Sequence, residues 1–346
     1  MTVRLAQVLA GGEKGGAENF FVRLGGALAP VPGLEQRAFL RPHPDRFRAL
    51  EGAGVPCNGF RFGGPLHWLD RARYRHALRG FRPDVVMTWM NRATAATPSG
   101  DYQLVARLGS DYNLKYYRHC DHWIGISRGL CDYLVDGGMP AERVHHVPNF
   151  ASETPTVPVS RTAFDTPDGA PLILAAGRLH ETKGFDVLIR AMAGIPDAVL
   201  WLAGEGPEEP ALKSLAGQLG VGDRVRFLGW WQNIASLLQT VDLFVCPSRH
   251  EGLGSVVLEA WANGCPIVAT RAQGPEELIE PGETGLLTPV DEAPALQQAV
   301  RALIGDPPLR SRLAAHARAR YQAHYSQSVI LERYRELLSR ISGRPL

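Results

Sequence analysis

The segment CPSRHEGLGSVVLEAWANGCPIVAT, residues 246–270, holds the densest set of groups able to bind phosphate and hydroxyls. A buried apolar strand, LFVC, runs into a loop and then into a helix starting near Gly254. Helix starts offer unpaired amides and the positive end of the helix dipole, so Gly254 and Ser255 can receive a phosphate. Gly252 and Gly254 let a ligand approach the backbone closely. Glu251 lies before the helix, where a carboxylate can accept hydrogen bonds from two adjacent sugar hydroxyls. Glu259, eight residues on, can do the same for a ribose. The plain alternative has Glu251 capping the helix and Glu259 on the surface. Upstream, AAGRLHETKGFDVLIRA places Arg178 and Lys183 just beyond another strand end. Two cations there can neutralise a diphosphate and stabilise the charge that grows on it as a bonded group leaves. Taken alone, they would equally be a pair of exposed cations.

These groups need elements to position them. Short apolar runs alternate with helical patterns along the whole chain, which predicts parallel sheets covered by helices. VRLAQVLA, QRAFL, DVVMTW, QLVARL and HWIGIS read as strands of a first unit. The first strand leads into a glycine-rich turn, residues 11–16, and a helix from about Ala17. A helix around 129–136 stops at Gly137 and Gly138, and a Pro-rich stretch, 151–171, has the composition of a linker. PLILAAGRL, AVLWLAGEG, RVRFLG, LFVCPS and PIVAT are the strands of a second unit, with a return strand near GLLT. Residues 307–342 read as helical. The expected fold is α/β: two Rossmann-like, doubly wound domains facing a cleft, 1–155 and 156–324, with ligands beyond the carboxyl ends of the strands.

A chain of 346 residues exceeds one hydrophobic core, and 45% hydrophobic with 21% charged residues describes an ordinary globular protein. No segment is long or apolar enough to span a bilayer, and the N-terminal apolar stretch is too short for a signal peptide. The expectation is a cytoplasmic protein. The five cysteines form no CxxC pair and read as reduced thiols, and His119, His122, His145 and His146 lack carboxylates at metal-ligand spacing. No metal or other cofactor is expected, and no nucleic-acid motif is present. Residues 1–160 carry nineteen Lys and Arg against fourteen Asp and Glu. Within them Arg61, Arg71, Arg73, Arg75, Arg79 and Arg82 face only Asp70. Such a patch either attracts phosphate, acidic sugars or an anionic membrane surface, or is a solvated helix face.

The C-terminal half resembles glycosyltransferase family 4, retaining enzymes with the GT-B fold. GRLHETKGFDVLIRA resembles the family's strand-and-loop motif with the diphosphate-binding Arg and Lys, here Arg178 and Lys183. LAGEGP and VRFLG resemble its nucleotide-pocket segments, which brings in Glu205 and Leu228. PSRHEGLGSVVLEAWANGCPIVAT resembles its Glu-x7-Glu motif, with Glu251, Gly252, Leu253, Gly254, Ser255 and Glu259, and GETGLL its closing hairpin. LAGGEKGGAENFFVRLGGAL resembles the family's first glycine-rich loop, whose Gly15 and Gly16 would set backbone amides against donor phosphates or the acceptor. Glu18 would touch the acceptor or serve as a first-turn glutamate. VPNF resembles the start of the family's linker, with Phe150 in place of the usual glycine. The histidine common after a strand of the N-terminal domain is absent: the region reads LVARLGSDYN, leaving Asn91, Arg107 or Asp111 for that side and His119 as a structural residue.

The resemblance implies a sugar nucleotide, UDP- or GDP-linked, held by the C-terminal domain, and an acceptor held by the N-terminal domain, with the last helix, about 325–346, packing back on that domain. It implies metal-independent transfer with retention, in which Arg178 and Lys183 stabilise the leaving diphosphate and Glu251 orients the sugar. By family habit and charge, FRFGGPLHWLDRARYRHALRGF would dock a charged or lipid-linked acceptor, such as a growing lipopolysaccharide or other envelope glycan, at the inner face of a membrane. Two other readings stand beside this one: a phosphorylase of the same fold, and a sugar-nucleotide-binding protein without catalysis.

Overall fold

Apolar runs carrying few charges become the central strands of two parallel sheets, because such strands are covered by helices on both faces. The computed structural model describes residues 2–13, 15–63 and 67–346. Lys14 of the glycine-rich loop and Gly64, Pro65 and Leu66 of the basic, aromatic stretch lie outside the described residues. By its internal contacts the chain divides into Met1–Asn149 with Gln327–Leu346, and Phe150–Ser326.

The first unit runs β1 (Val3–Leu9), α1 (Gly16–Leu28), β2 (Leu34–Leu40), α2 (Pro44–Gly52), β3 (Cys57–Gly59), α3 (His67–Phe81), β4 (Val85–Trp89), α4 (Met90–Ala96), β5 (Gln103–Leu108), β6 (His122–Gly125), α5 (Arg128–Asp136) and β7 (Val144–His146). Its sheet order is β3-β2-β1-β4-β5-β6-β7, every neighbouring pair parallel. The second unit runs β8 (Leu172–Ala176), α6 (Phe185–Met192), β9 (Val199–Ala203), α7 (Glu209–Gln218), β10 (Val225–Gly229), α8 (Ala235–Leu238), β11 (Leu243–Cys246), α9 (Ser255–Ala262), β12 (Ile267–Thr270), α10 (Gln273–Leu278), β13 (Leu286–Thr288), α11 (Ala293–Gly305) and α12 (Pro307–His324). Its order is β10-β9-β8-β11-β12-β13, again all parallel. Each order reverses once, between β1 and β4 and between β8 and β11, where a doubly wound sheet opens a crevice at the carboxyl ends of its strands.

Three readings of the sequence change. GETGLL does not close a hairpin: β13 pairs parallel to β12, because α10 carries the chain back to the starting edge before the strand begins. The Pro-rich stretch 151–171 is not a loose linker. Arg161 bonds the Ala170 carbonyl (2.9 Å) and Asp242 (2.9 Å), the Val159 amide bonds Ser236 (3.1 Å), and Trp201 donates to Thr166 (2.9 Å), so the stretch is fastened to the second unit. The helix read over 183–193 begins only at Phe185, after a left-handed Gly184 (φ 62°).

The last helix, α13 (Gln327–Ser342), belongs to the first unit and packs on β1, β4 and α1. Arg107 fastens it. This buried guanidinium donates to Tyr334 Oη (3.0 Å) and to Asn149 Oδ1, and lies over the rings of Trp89 (4.3 Å) and Phe20 (4.7 Å). Two acceptors and two ring faces therefore stabilise a charge that burial would otherwise expel. Arg107 is thus structural and does not take the place of the absent histidine.

At the far edge of the same unit, Arg340 donates to His145 Nδ1 (3.2 Å), which leaves His145 Nε2 to carry the ring proton toward His122 Nδ1 (3.1 Å). Burial, then the neighbouring His122 and Arg340, push His145 down to about 4.

Two outcomes are expected. Arg107→Ala should lower unfolding free energy by roughly 2–4 kcal/mol and Tyr334→Phe by about 1 kcal/mol in urea titrations; an Arg107→Ala protein as stable as wild type would contradict the fastening role. Between about pH 6.5 and pH 4 the unfolded chain binds a proton at His145 that the native fold rejects, so stability falls as the pH is lowered across that window. His145→Gln should show a smaller drop in melting temperature from pH 7 to pH 5 than wild type.

Candidate functional site

In the second unit, the loops after β8 and β11 meet at the strand-order reversal. Gly184 is left-handed, and a Cβ there would lie 2.1 Å from the Pro247 carbonyl oxygen, so only glycine lets the two loops touch. The amides of Arg249 (2.8 Å) and His250 (3.2 Å) donate to the Thr182 carbonyl and lock the loops together. This contact sets the Lys183 ammonium on Glu251 Oε2, which also accepts from Ser248 Oγ at 3.2 Å. The two side chains are 26% and 16% exposed, so neither charge is freely solvated. Burial works against the Lys183 ammonium, but the charge and hydrogen bond of Glu251 outweigh it and hold the amine above its ordinary value.

Arg249 clamps the arrangement from outside. Its guanidinium takes both carboxylate oxygens of Asp186 (2.9 and 2.8 Å), Asp291 (2.6 Å) and the Glu181 carbonyl (2.6 Å). Burial raises the Asp186 carboxyl, yet the hydrogen bonds and charge of Arg249 leave it below the usual carboxylate range. Sequence reasoning missed Arg249, Asp186 and Ser248, because their partners lie far along the chain and no spacing pattern marks them.

Glu251 does not cap the following helix. Its carbonyl accepts from the Gly274 amide (2.9 Å), and the left-handed Gly254 (φ 77°) opens α9 without a side-chain capping hydrogen bond. Gly252 is half-buried and Leu253 buried, the latter pressed against Gly274, where a Cβ would come within 2.3 Å of its backbone. Ser255 and Glu259 follow one helical turn apart and are both half-buried. At the end of β8, Arg178 is exposed and makes no ion pair or hydrogen bond among the described residues. On its other side the ends of β9 and β10 are tied: the Gly204 amide donates to Gly229 (2.7 Å), and Glu205 takes the Leu179 amide on its carbonyl (2.9 Å) and the Trp230 amide on its carboxylate (3.2 Å). Leu228, half-buried, precedes that junction. The predicted residues of this unit therefore ring the carboxyl ends of four adjacent strands, with Lys183 and Glu251 in direct contact.

In the first unit, the glycine-rich loop after β1 wraps one carboxylate. Glu18 is buried and accepts from the Gly12 amide (2.8 Å); a Cβ at Gly11 or Gly15 would strike its oxygens at 2.4 and 2.3 Å. Glu18 thus shapes the loop and is not free to meet an acceptor. Arg46 donates to the carbonyls of Gly12 and Glu13 (2.6 Å for the latter), and burial lowers its guanidinium despite the nearby Glu18 and Glu13. Gly15 gives its carbonyl to the first turn of α1, and Gly16 has open space at its Cβ position. Beside this loop lies a cavity of about 820 Å³, adjoined by a second of about 920 Å³. Asn91 lines the first and accepts from Tyr117 Oη (3.2 Å); Asp111 pairs with Ser110 (2.8 Å); His119 sits against the Thr97 carbonyl (3.3 Å), a structural contact. Among the described residues no three His, Cys, Asp or Glu side chains group as a metal site.

The family model described as glycosyl transferases group 1 matches residues 158–320. The lipopolysaccharide core biosynthesis glycosyltransferases LpsE and LpsD of Rhizobium meliloti (strain 1021) are 38% and 36% identical, each over 95% of this chain and over 97% and 96% of their own. The crystal structure of Anabaena HepE in complex with UDP-glucose superposes with a TM-score of 0.83 at 22% identity, covering 97% of this chain and 99% of that one, and shares the fold. The two Rossmann-like units are those of the GT-B fold. With relatives of this identity along nearly its whole length, the chain belongs to the group 1 glycosyltransferases.

Proposed function

We propose that the chain moves a hexose from a uridine- or guanosine-diphosphate sugar to a glycan or glycolipid acceptor of the lipopolysaccharide core, with retention at the anomeric carbon. The observation that carries the reading is the meeting of Lys183 and Glu251 at the β8–β11 reversal, with the uncommitted Arg178 at the end of β8. A diphosphate there meets two cations from one strand end and the uncapped start of α9 from the next. Lys183 is already held by Glu251, so its charge stays in place and costs no reorganisation when negative charge grows on the leaving group. Glu251 keeps a second oxygen for a sugar hydroxyl, and Glu259 serves the ribose.

In the reaction, the bond from the anomeric carbon to the diphosphate breaks and one to the acceptor oxygen forms on the same face. The acceptor proton goes to the departing diphosphate, which removes the need for a dedicated base. Arg178 and Lys183 supply the compensating charge that a divalent ion supplies in other transferases. The lipopolysaccharide assignment is supported by the names of LpsE and LpsD. Residence at the inner face of a membrane suits such an acceptor and is supported by exposed Trp68 (61%) and Leu69 (43%) beside Arg71, Arg73 and Arg79 on α3. Among the described residues no helix is long and apolar enough to cross a membrane.

Arg178→Ala should cut the slow hydrolysis of the preferred UDP- or GDP-hexose by roughly 10²–10³-fold, with little change in melting temperature, because Arg178 is exposed. Wild-type turnover in Arg178→Ala would refute its role. Turnover that requires inorganic phosphate would instead assign a phosphorylase.

A further inference from the structure

The unit-1 cavities lie at the β1–β4 reversal, where the loops after β1, β2, β3 and β4 converge with α3. Their walls carry an imbalance of charge. Arg41, Arg61, Arg71 and Arg92 line them, and none makes an ion pair or side-chain hydrogen bond among the described residues. The carboxylates on the same walls are Glu13 and Asp70, and Asp70 is occupied by the Phe62 amide (2.9 Å). Arg46, on the second cavity, gives one terminal nitrogen to the loop carbonyls of Gly12 and Glu13 and adds its charge to that of the four. His43, on the second cavity, has a buried Nδ1 without a hydrogen-bond partner.

The backbone around the cavity is held in costly conformations. Phe62 (φ 52°) and Met90 (φ 67°) are left-handed without being glycine, and both line it. Such strain persists where surrounding structure enforces it and gathers at ligand sites. Phe62 and Tyr74, both on its lining, pack edge to face at 5.2 Å and make part of its wall aromatic.

We propose that this cavity is the acceptor subsite for an anionic sugar residue, phosphorylated or carboxylated, recognised by Arg41, Arg61, Arg71 and Arg92. The inference rests on the glycosyltransferase reading and adds the substrate class: guanidinium forks match phosphate and carboxylate, and four uncommitted ones around an aromatic wall favour an acidic sugar over a neutral one.

The test is a ligand-observed NMR titration in saturating UDP, which keeps phosphates out of the second unit, using glucose 6-phosphate, glucuronate and glucose. At least one anionic sugar should bind roughly tenfold or more tightly than glucose, and added salt should erode the difference. The double variant R41Q/R92Q should bind it no better than glucose, while Arg118→Gln, exposed between β5 and β6 and outside the cavity, should bind as wild type. The tighter anion tells a phosphate-bearing from a carboxylate-bearing acceptor. Equal binding of charged and neutral sugars, or a double variant that binds as wild type, would overturn the proposal. UDP that binds while the anionic preference is absent sinks this inference alone; UDP that fails to bind sinks the donor reading, and the effect of R41Q/R92Q still decides this one.

Discussion

A single close approach organises the second unit: the loop after β8 lies directly on the Pro247 carbonyl, a contact that a side chain at residue 184 would forbid. From that contact come the shared hydrogen bonds of Thr182, the pairing of Lys183 with Glu251 and the reach of Arg249 to Asp186. Two half-buried charges at the end of a sheet are unfavourable singly, and each is tolerated because the other is there. The result is a cation of fixed position beside a helix start that carries no cap, with Arg178 still unspent.

The first unit uses the same architectural position for a different chemistry. Its reversal between β1 and β4 also opens a crevice, but there the glycine-rich loop closes on Glu18 of α1 and Arg46 of α2. The crevice walls are left to the arginines after β2, β3 and β4. One unit thus presents a paired cation, and the other an open cluster. That contrast follows from which side chains the loops consume internally.

The sequence was most legible where physics is local. Strands such as VLWLA and LFVC are apolar on both faces and announce a parallel sheet, and Gly254 marks a helix start; Gly184, by contrast, reads as part of a helix that in fact begins only after it. β3 (CNG) and β7 (VHH) escaped, since three half-buried residues carry no periodicity. The site was legible in its donors but not in their mutual commitments. Lys183 and Glu251 were each assigned to a ligand, whereas 68 residues apart they bind one another. Arg107 reads from sequence, with Asn91 and Asp111, as a candidate for the side where the family's histidine is absent; only the packing of Trp89, Phe20 and Tyr334, the last 227 residues away, shows it as a fastening. Likewise the tethers of 151–171 to Asp242 and Trp201 belong to tertiary structure, which composition does not encode.

The claim at the centre is that the second unit holds a nucleoside diphosphate against the β8–β11 reversal. A thermal-shift titration with UDP, GDP and ADP on the wild type and on Glu259→Ala tests it most directly, because a ligand of the native state raises its melting temperature by mass action. The account predicts a rise with UDP or GDP that Glu259→Ala loses. No rise with any of the three at millimolar concentration would contradict it.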